Sequence, residues 1–238
     1  MQLLPVYVIN KSSTCSLRVT KLKFQQPVLL ELPKFKTALE YRDTFAFGYE
    51  KIDSILDLHV DDIIGLFGES RYTNALSTRL VVRSLLSHKH GGVGAENVMI
   101  IDADNSVSPY LYVTIGRQYG MHHSKVLRNV IVTRQFTIYQ LTNTILYDLP
   151  KRIQLHKPKV IVISGLLDQF LQDPHLHPAE IESLVSQIVK SLHKMKGVLF
   201  VLTSRFDDND RVSFVVQNYR SSCQKGIQCY ETESVHSK

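Results

Sequence analysis

The chain has 238 residues, 44% of them hydrophobic, with 28 Lys and Arg against 22 Asp and Glu for a formal charge of +6. That apolar content excludes a disordered chain, and no apolar run of about 18 residues is present to span a membrane. Cys15, Cys223 and Cys229 form no CxxC pair, which favours a reduced intracellular compartment over a disulfide scaffold.

The N-terminal sequence MQLLPVYVINKSS lacks the basic segment and cleavage site of a secretory signal. Two short β-type runs follow, VYVIN (6–10) and PVLLEL (27–32), read as a small appendage or edge strands. From Phe45 onward, strands and helices alternate. IIGLFG (63–68) is an apolar run ending in glycine, and Leu76, Leu80, Val81 and Leu85 recur with helical period over 76–86. A Gly-rich loop (88–94) leads to NVMIIDAD (97–104), a buried strand ending in carboxylates. A helix over 109–119 precedes the strand NVIVTR (129–134), and a second helix over 138–149 is expected to stop at Pro150.

PKVIVIS (158–164) is a fourth strand, Pro178 opens the clearest helix, and GVLFVLTS (197–204) is a fifth strand. RVSFVVQNY (211–219) and GIQCYETE (226–233) read as two antiparallel strands closing an edge. The pattern predicts an α/β fold: a mostly parallel twisted sheet with helices on both faces. Residues 1–44 form a short β-rich N-terminal segment and 45–238 the core. His175 and His177 lie close in sequence, but without Cys or HExxH support no metal site is expected.

In open parallel sheets ligands bind where strand ends meet helix starts, so the loop GESRYTNA (68–75) is the place to examine. A phosphate loop needs GxxxxGK[ST], with glycine for the turn, lysine for the phosphates and a hydroxyl for Mg²⁺. Gly68 is retained, and Glu69, Ser70, Arg71 and Tyr72 fill the variable positions. Thr73 stands for the second glycine, Asn74 for the lysine and Ala75 for the hydroxyl. Asn74 offers no charge to a triphosphate, and Ala75 cannot ligate a cation.

Seven segments in order nevertheless resemble the RecA/RadA recombinase family, above all its archaeal and eukaryotic branch. They are FKTALEY (35–41), GYEKIDSIL (48–56), IIGLFGES (63–70), MIIDADNSVSPYLYVTIGRQYGM (99–121), NVIVTRQFTIYQL (129–141), VIVIS (160–164) and VLFVLTS (198–204). The resemblance implies a RecA-like P-loop ATPase core without the family's helical N-terminal domain. It also implies roles for particular residues. Asp104 matches the glutamate that orients the attacking water, one methylene shorter. Ile163 stands where a magnesium-linked aspartate is expected, and Arg205 lies near the γ-phosphate-sensing glutamine. Asp104 as a turn cap and Arg205 as a solvated charge are equally open readings.

Phosphoryl transfer depends almost wholly on positioning and charge neutralisation. Loss of the lysine, the hydroxyl and the strand aspartate therefore implies a chain with no ATPase activity and no bound cofactor, Mg-ATP being the ligand a residual switch would take. The loops that touch DNA in the family, after the fourth and the fifth strand, are here LQDPHLHPAEIES (171–183) and FDDND (206–210), both acidic and without Lys or Arg.

Cations gather elsewhere. Arg117, Lys125, Arg128, Arg134, Lys151, Arg152, Lys157 and Lys159 face only Asp148 between positions 117 and 159, a net of +7. They are either solvated helix ends or a patch for single-stranded DNA or an acidic partner. Phe35 and Ala38 match the family's FxxA oligomerisation motif, in which the Phe enters a neighbour's pocket while a flanking strand extends its sheet. Phe35 packed into the chain's own core is the competing reading.

The combined expectation is a non-catalytic recombinase paralogue. It would dock on an active recombinase or another paralogue as a hetero-oligomer and support recombination and repair. Its place would be the cytoplasm or nucleoid of a prokaryote, or the nucleus of a eukaryote. The alternatives are a DNA-binding accessory module and a residual ATP switch.

Overall fold

The computed structural model describes residues 6–10, 13–15, 43–173, 175–205 and 213–229. Its strands, in chain order, are β1 (Val6–Asn10), β2 (Ser13–Cys15), β3 (Thr44–Phe45), β4 (Leu58–His59), β5 (Ile63–Gly68) and β6 (Val98–Asp102). β7 (Val130–Arg134), β8 (Val160–Ser164), β9 (Leu199–Ser204) and β10 (Lys225–Cys229) complete them. Eight lie in one sheet, ordered β2-β1-β10-β5-β9-β8-β6-β7, while β3 and β4 pair separately. From β10 to β7 all pairings are parallel; β1 and β2 add antiparallel strands beyond β10. The fold is the expected mostly parallel α/β core; VYVIN is not its edge strand but lies between β2 and β10, and PVLLEL (27–32) lies outside the described residues.

Period-two alternation explains why the central strands are apolar throughout. Ile64 and Leu66, Val98 and Ile100, Val160 and Val162, and Leu199 and Val201 join one core. Their neighbours Ile63 and Phe67, Met99 and Ile101, Ile161 and Ile163, and Phe200 and Leu202 join another on the opposite face. Each buried branched side chain contributes about 1.5–3 kcal/mol relative to exposure. The first core is covered by α1 (Glu50–Asp53), α2 (Ser70–Ser84), α3 (Pro109–Gln118) and α4 (His123–Asn129), through Ile52, Leu76, Leu80, Tyr112, Ile115 and Val126. The second lies under α5 (Ile138–Asn143), α6 (Leu149–His156), α7 (Leu166–Gln172), α8 (Pro178–Lys194) and α9 (Ser213–Ser222).

The segment GYEKIDSIL is a structural clamp. Gly48 has φ +77°, and the Asp53 carboxylate accepts from Phe47 N at 2.7 Å and Gly48 N at 2.8 Å. The buried Arg79 of α2 donates to the carbonyls of Phe47 and Gly48 at 2.6 and 3.1 Å. Burial raises the Asp53 carboxyl above its ordinary pKa, against the lowering effect of those amides.

Four further sequence expectations need correction. Residues 213–222 form a helix rather than a strand, because Val215, Tyr219 and Cys223, four apart, all turn into the core. The crossover they make sets β10 parallel to β5, so β10 is an inner strand and not half of a closing hairpin. The helix from 138 does not stop at Pro150: it passes through a π turn, Thr144–Asp148, and continues as α6. Pro150 has no N–H and its ring crowds the carbonyl four residues back, and the wider turn relieves that crowding. Finally, α7 directly follows β8, so the segment 171–183 begins at a helix end and not at a strand end.

Candidate functional site

The carboxyl ends of β5, β6, β8 and β9 gather the residues that a nucleotide site would use. At β5 the chain turns sharply. Gly68 has φ +124°, Glu69 is extended, and α2 begins at Ser70. The amides of Tyr72 and Thr73 donate to Glu69 O at 3.0 and 3.1 Å. Positions 70–75, expected as a loop, are therefore the opening turns of a helix. A phosphate-wrapping loop holds several amides outside the helix to enclose the anion; here one residue separates strand from helix.

Each candidate residue in this stretch has a local role. A Cβ on Gly68 would lie 2.1 Å from Cys229 O, so the glycine is required by the neighbouring strand β10. Glu69 pairs with Arg71 at 3.0 Å, and the Arg71 guanidinium lies 4.4 Å from the Tyr72 ring. Thr73 is buried, with its hydroxyl 3.3 Å from Ser70 O. Asn74 Oδ1 lies 3.3 Å from the Ser106 hydroxyl, which donates more closely, at 2.6 Å, to Asp104 Oδ1. Ala75 is half-buried on α2. Arg205, after β9, donates from Nε to Ser70 Oγ at 2.8 Å, and its amide donates to Asp168 Oδ1 at 3.0 Å. The structure thus brings Asn74 to Asp104 and Arg205 to Ser70, around a compact strand-to-helix turn. Ile163 is fully buried in the second core.

The most enclosed carboxylate escaped the sequence reading. Asp102, buried at the end of β6, accepts from Ser106 N (3.1 Å), Ser164 Oγ (3.2 Å) and Arg134 Nε (3.1 Å). Its side-chain partners are its register neighbours on both sides, Arg134 on β7 and Ser164 on β8. Asp102 and Asp104 are two apart at a strand end, which was the available signal. Knowing that Arg134 answers Asp102 required the strand register.

The basic residues do not share one face. Arg117, Lys125 and Arg128 ride on α3 and α4 over the first core; Lys151, Arg152 and Lys157 belong to α6 and its C-terminus over the second. All six are exposed. Arg134 is held by Asp102, and Lys159 by Asp43 at 2.6 Å. Phe35, Ala38 and FDDND lie outside the described residues. His177 uses Nδ1 to accept from Ala179 N at 3.3 Å and so caps α8. Among the described residues no group of three or more His, Cys, Asp or Glu is placed to hold a metal ion, and no helix is long and apolar enough to cross a membrane.

Residues 44–220 match the family model described as Rad51. The chain belongs to the Rad51 family. The match covers the core from β3 through most of α9, and with the parallel sheet it assigns a RecA-like fold. Membership in the Rad51 family carries a role in DNA recombination and repair. No curated protein matches the sequence.

Proposed function

We propose that this Rad51-family chain is a non-catalytic paralogue that works by association with an active recombinase or another paralogue. The start of α2 at Ser70 carries the reading. Helical hydrogen bonding takes up the stretch that would wrap a triphosphate, and the residue standing for the phosphate lysine is the neutral Asn74. The exposed Arg205 spends its guanidinium Nε on Ser70 Oγ, and its amide is tied to Asp168. A docking role is supported by the sheet edge. β7 is the terminal strand at the end opposite β2, and among the described residues no strand pairs with its outer side. Val132 on β7 is 42% exposed, and Leu127 on the adjoining α4 is exposed as well. An unpaired parallel edge with exposed apolar side chains suits a partner's extended strand.

Two measurements test the proposal. Calorimetry and thermal shift at millimolar Mg-ATP should show no binding, and no phosphate should be released above background. Stoichiometric binding heat with hydrolysis would overturn the non-catalytic reading. Purified protein should co-elute with a cognate recombinase or paralogue, and Phe35→Glu should abolish co-elution. Equal association by both versions would remove Phe35 from the interface.

A further inference from the structure

The parallel strands start in one row, and cations from both helix layers meet along it. Register pairs Val98 of β6 with Val130 of β7 and with Val160 of β8, and Val160 with Leu199 of β9. The segments entering these strands are tied side by side: Leu199 N donates to Lys159 O and Asn97 Nδ2 to His156 O, both at 3.0 Å. Lys194 and Lys196 stand before β9, Lys157 before β8, Lys89 before β6 and Arg128 before β7, and all five are exposed. None of the five side chains makes an ion pair or hydrogen bond among the described residues. Against them, the loops that enter these four strands carry one carboxylate, Glu96. Toward β5 and β10 the charges already answer one another, as Lys225 does Asp62 at 2.8 Å.

Part of this charge has a local use. Helices between parallel strands run back against them, so their negative C-terminal ends face this rim, and Arg128 and Lys194 complement the last turns of α4 and α8. Lys89, on a short 3₁₀ turn, and Lys196, in a loop, lie beyond any α-helix. Lys157 is a sharper case. It closes α6 at φ +46° and ψ +50°, the left-handed conformation in which glycine is unstrained. Capping alone therefore does not explain a lysine at this position.

We infer that this rim, from β9 to β7, holds the phosphate backbone of duplex nucleic acid. Four strands at a spacing of about 4.8 Å make a row about 14 Å wide. A duplex facing it carries one charge per about 1.7 Å of axis. Backbone contact needs point charges, whereas single strands need rings for their bases. The exposed Tyr and Phe rings lie off the rim: Tyr110 at the start of α3, Phe136 after β7, and Tyr139 and Tyr147 along the helix that follows. Lysine is depleted at the cores of protein–protein interfaces, which disfavours an acidic polypeptide. The nucleotide-like turn lies at the carboxyl ends of the strands, so duplex and turn occupy opposite ends of the sheet. The inference is independent of the docking roles of Phe35 and β7.

The test is fluorescence anisotropy of a labelled duplex of about 20 base pairs with the full chain over a salt series. Affinity should fall steeply with salt. Lys89→Gln combined with Lys196→Gln should weaken it about tenfold and lower the salt slope by about 2. Lys151→Gln with Arg152→Gln, an equal loss of charge set back along α6, should weaken it less than about threefold. Lys157→Gly removes the left-handed lysine, so it should not lower the melting temperature, yet it should weaken duplex binding about threefold. Absence of salt-dependent binding, unchanged binding by either rim variant, or an equal loss in the Lys151 and Arg152 variant would each overturn the proposal. Oligothymidylate bound as tightly as duplex at equal phosphate would overturn the duplex assignment. Binding of hexaglutamate in place of duplex would overturn nucleic acid as the ligand.

Discussion

Gly68 shows how a retained motif residue can be held by something other than the motif's chemistry. Its Cβ position is filled by Cys229 O, and its positive φ excludes most side chains. Gly68→Ala should cost more than about 2 kcal/mol in urea unfolding, with no nucleotide present at any stage. Arg134 shows the same for charge. Arg134→Gln removes a partner from the buried Asp102 and should cost about 1–2 kcal/mol, moderated by the half-exposed guanidinium and the remaining hydrogen bonds. Lys151→Gln on the exposed face of α6 should stay within about 0.5 kcal/mol in the same titration. Cys229 adds a pH dependence. Burial pushes its thiol up to about 12 from 9.0, so the folded chain keeps a proton that the unfolded chain releases. Stability is full below pH 9 and falls as the pH rises toward 12, by at most about 1.4 kcal/mol per unit from this group. Urea unfolding at about pH 8 and about pH 10 should show a shallower loss for Cys229→Ala than for the native chain.

Among the elements, the central strands were legible because both of their faces are buried, which leaves unbroken apolar runs between polar helices. The amphipathic α8 was legible from its spacing and from Pro178 at its start. The start of α2 was not. Its first turns, SRYTNA, carry no apolar period, and Glu69 makes no side-chain cap bond to announce the helix. The helical period in the sequence begins only at Leu76, so the candidate nucleotide residues before it read as a loop. α9 was missed for the opposite reason: its β-branched and aromatic residues favour a strand by propensity, while its four-residue spacing, which the core enforces, is helical. Asp102 was visible as a residue but not as a site, since its side-chain partners lie 32 and 62 positions away. At this scale, Ser213→Pro through Ser222→Pro scanning should separate the assignments. Proline at Asn218, inside α9, should cost about 3 kcal/mol or more by circular-dichroism melting.

For the whole molecule, function turns on which surfaces remain open. Val132→Lys places a charge on the exposed edge and should leave the melting temperature nearly unchanged while abolishing co-elution with the partner. Retained co-elution would move the docking surface elsewhere. The six exposed cations, divided between two helix layers, should give weak DNA binding that strengthens with falling salt. Lys151→Glu with Arg152→Glu should remove no more than part of it.

The antiparallel pair β1–β2 also makes the two ends of the sheet unlike. Beyond β10 the chain's own first strands extend the sheet, so among the described residues its terminal strands are β2, three residues long and antiparallel to its neighbour, and β7, five residues long and parallel to its neighbour. Continuing a sheet from molecule to molecule requires two acceptor edges, one for each neighbour. The two edges here are unequal: a partner strand has five residues to pair with along β7 and three along β2.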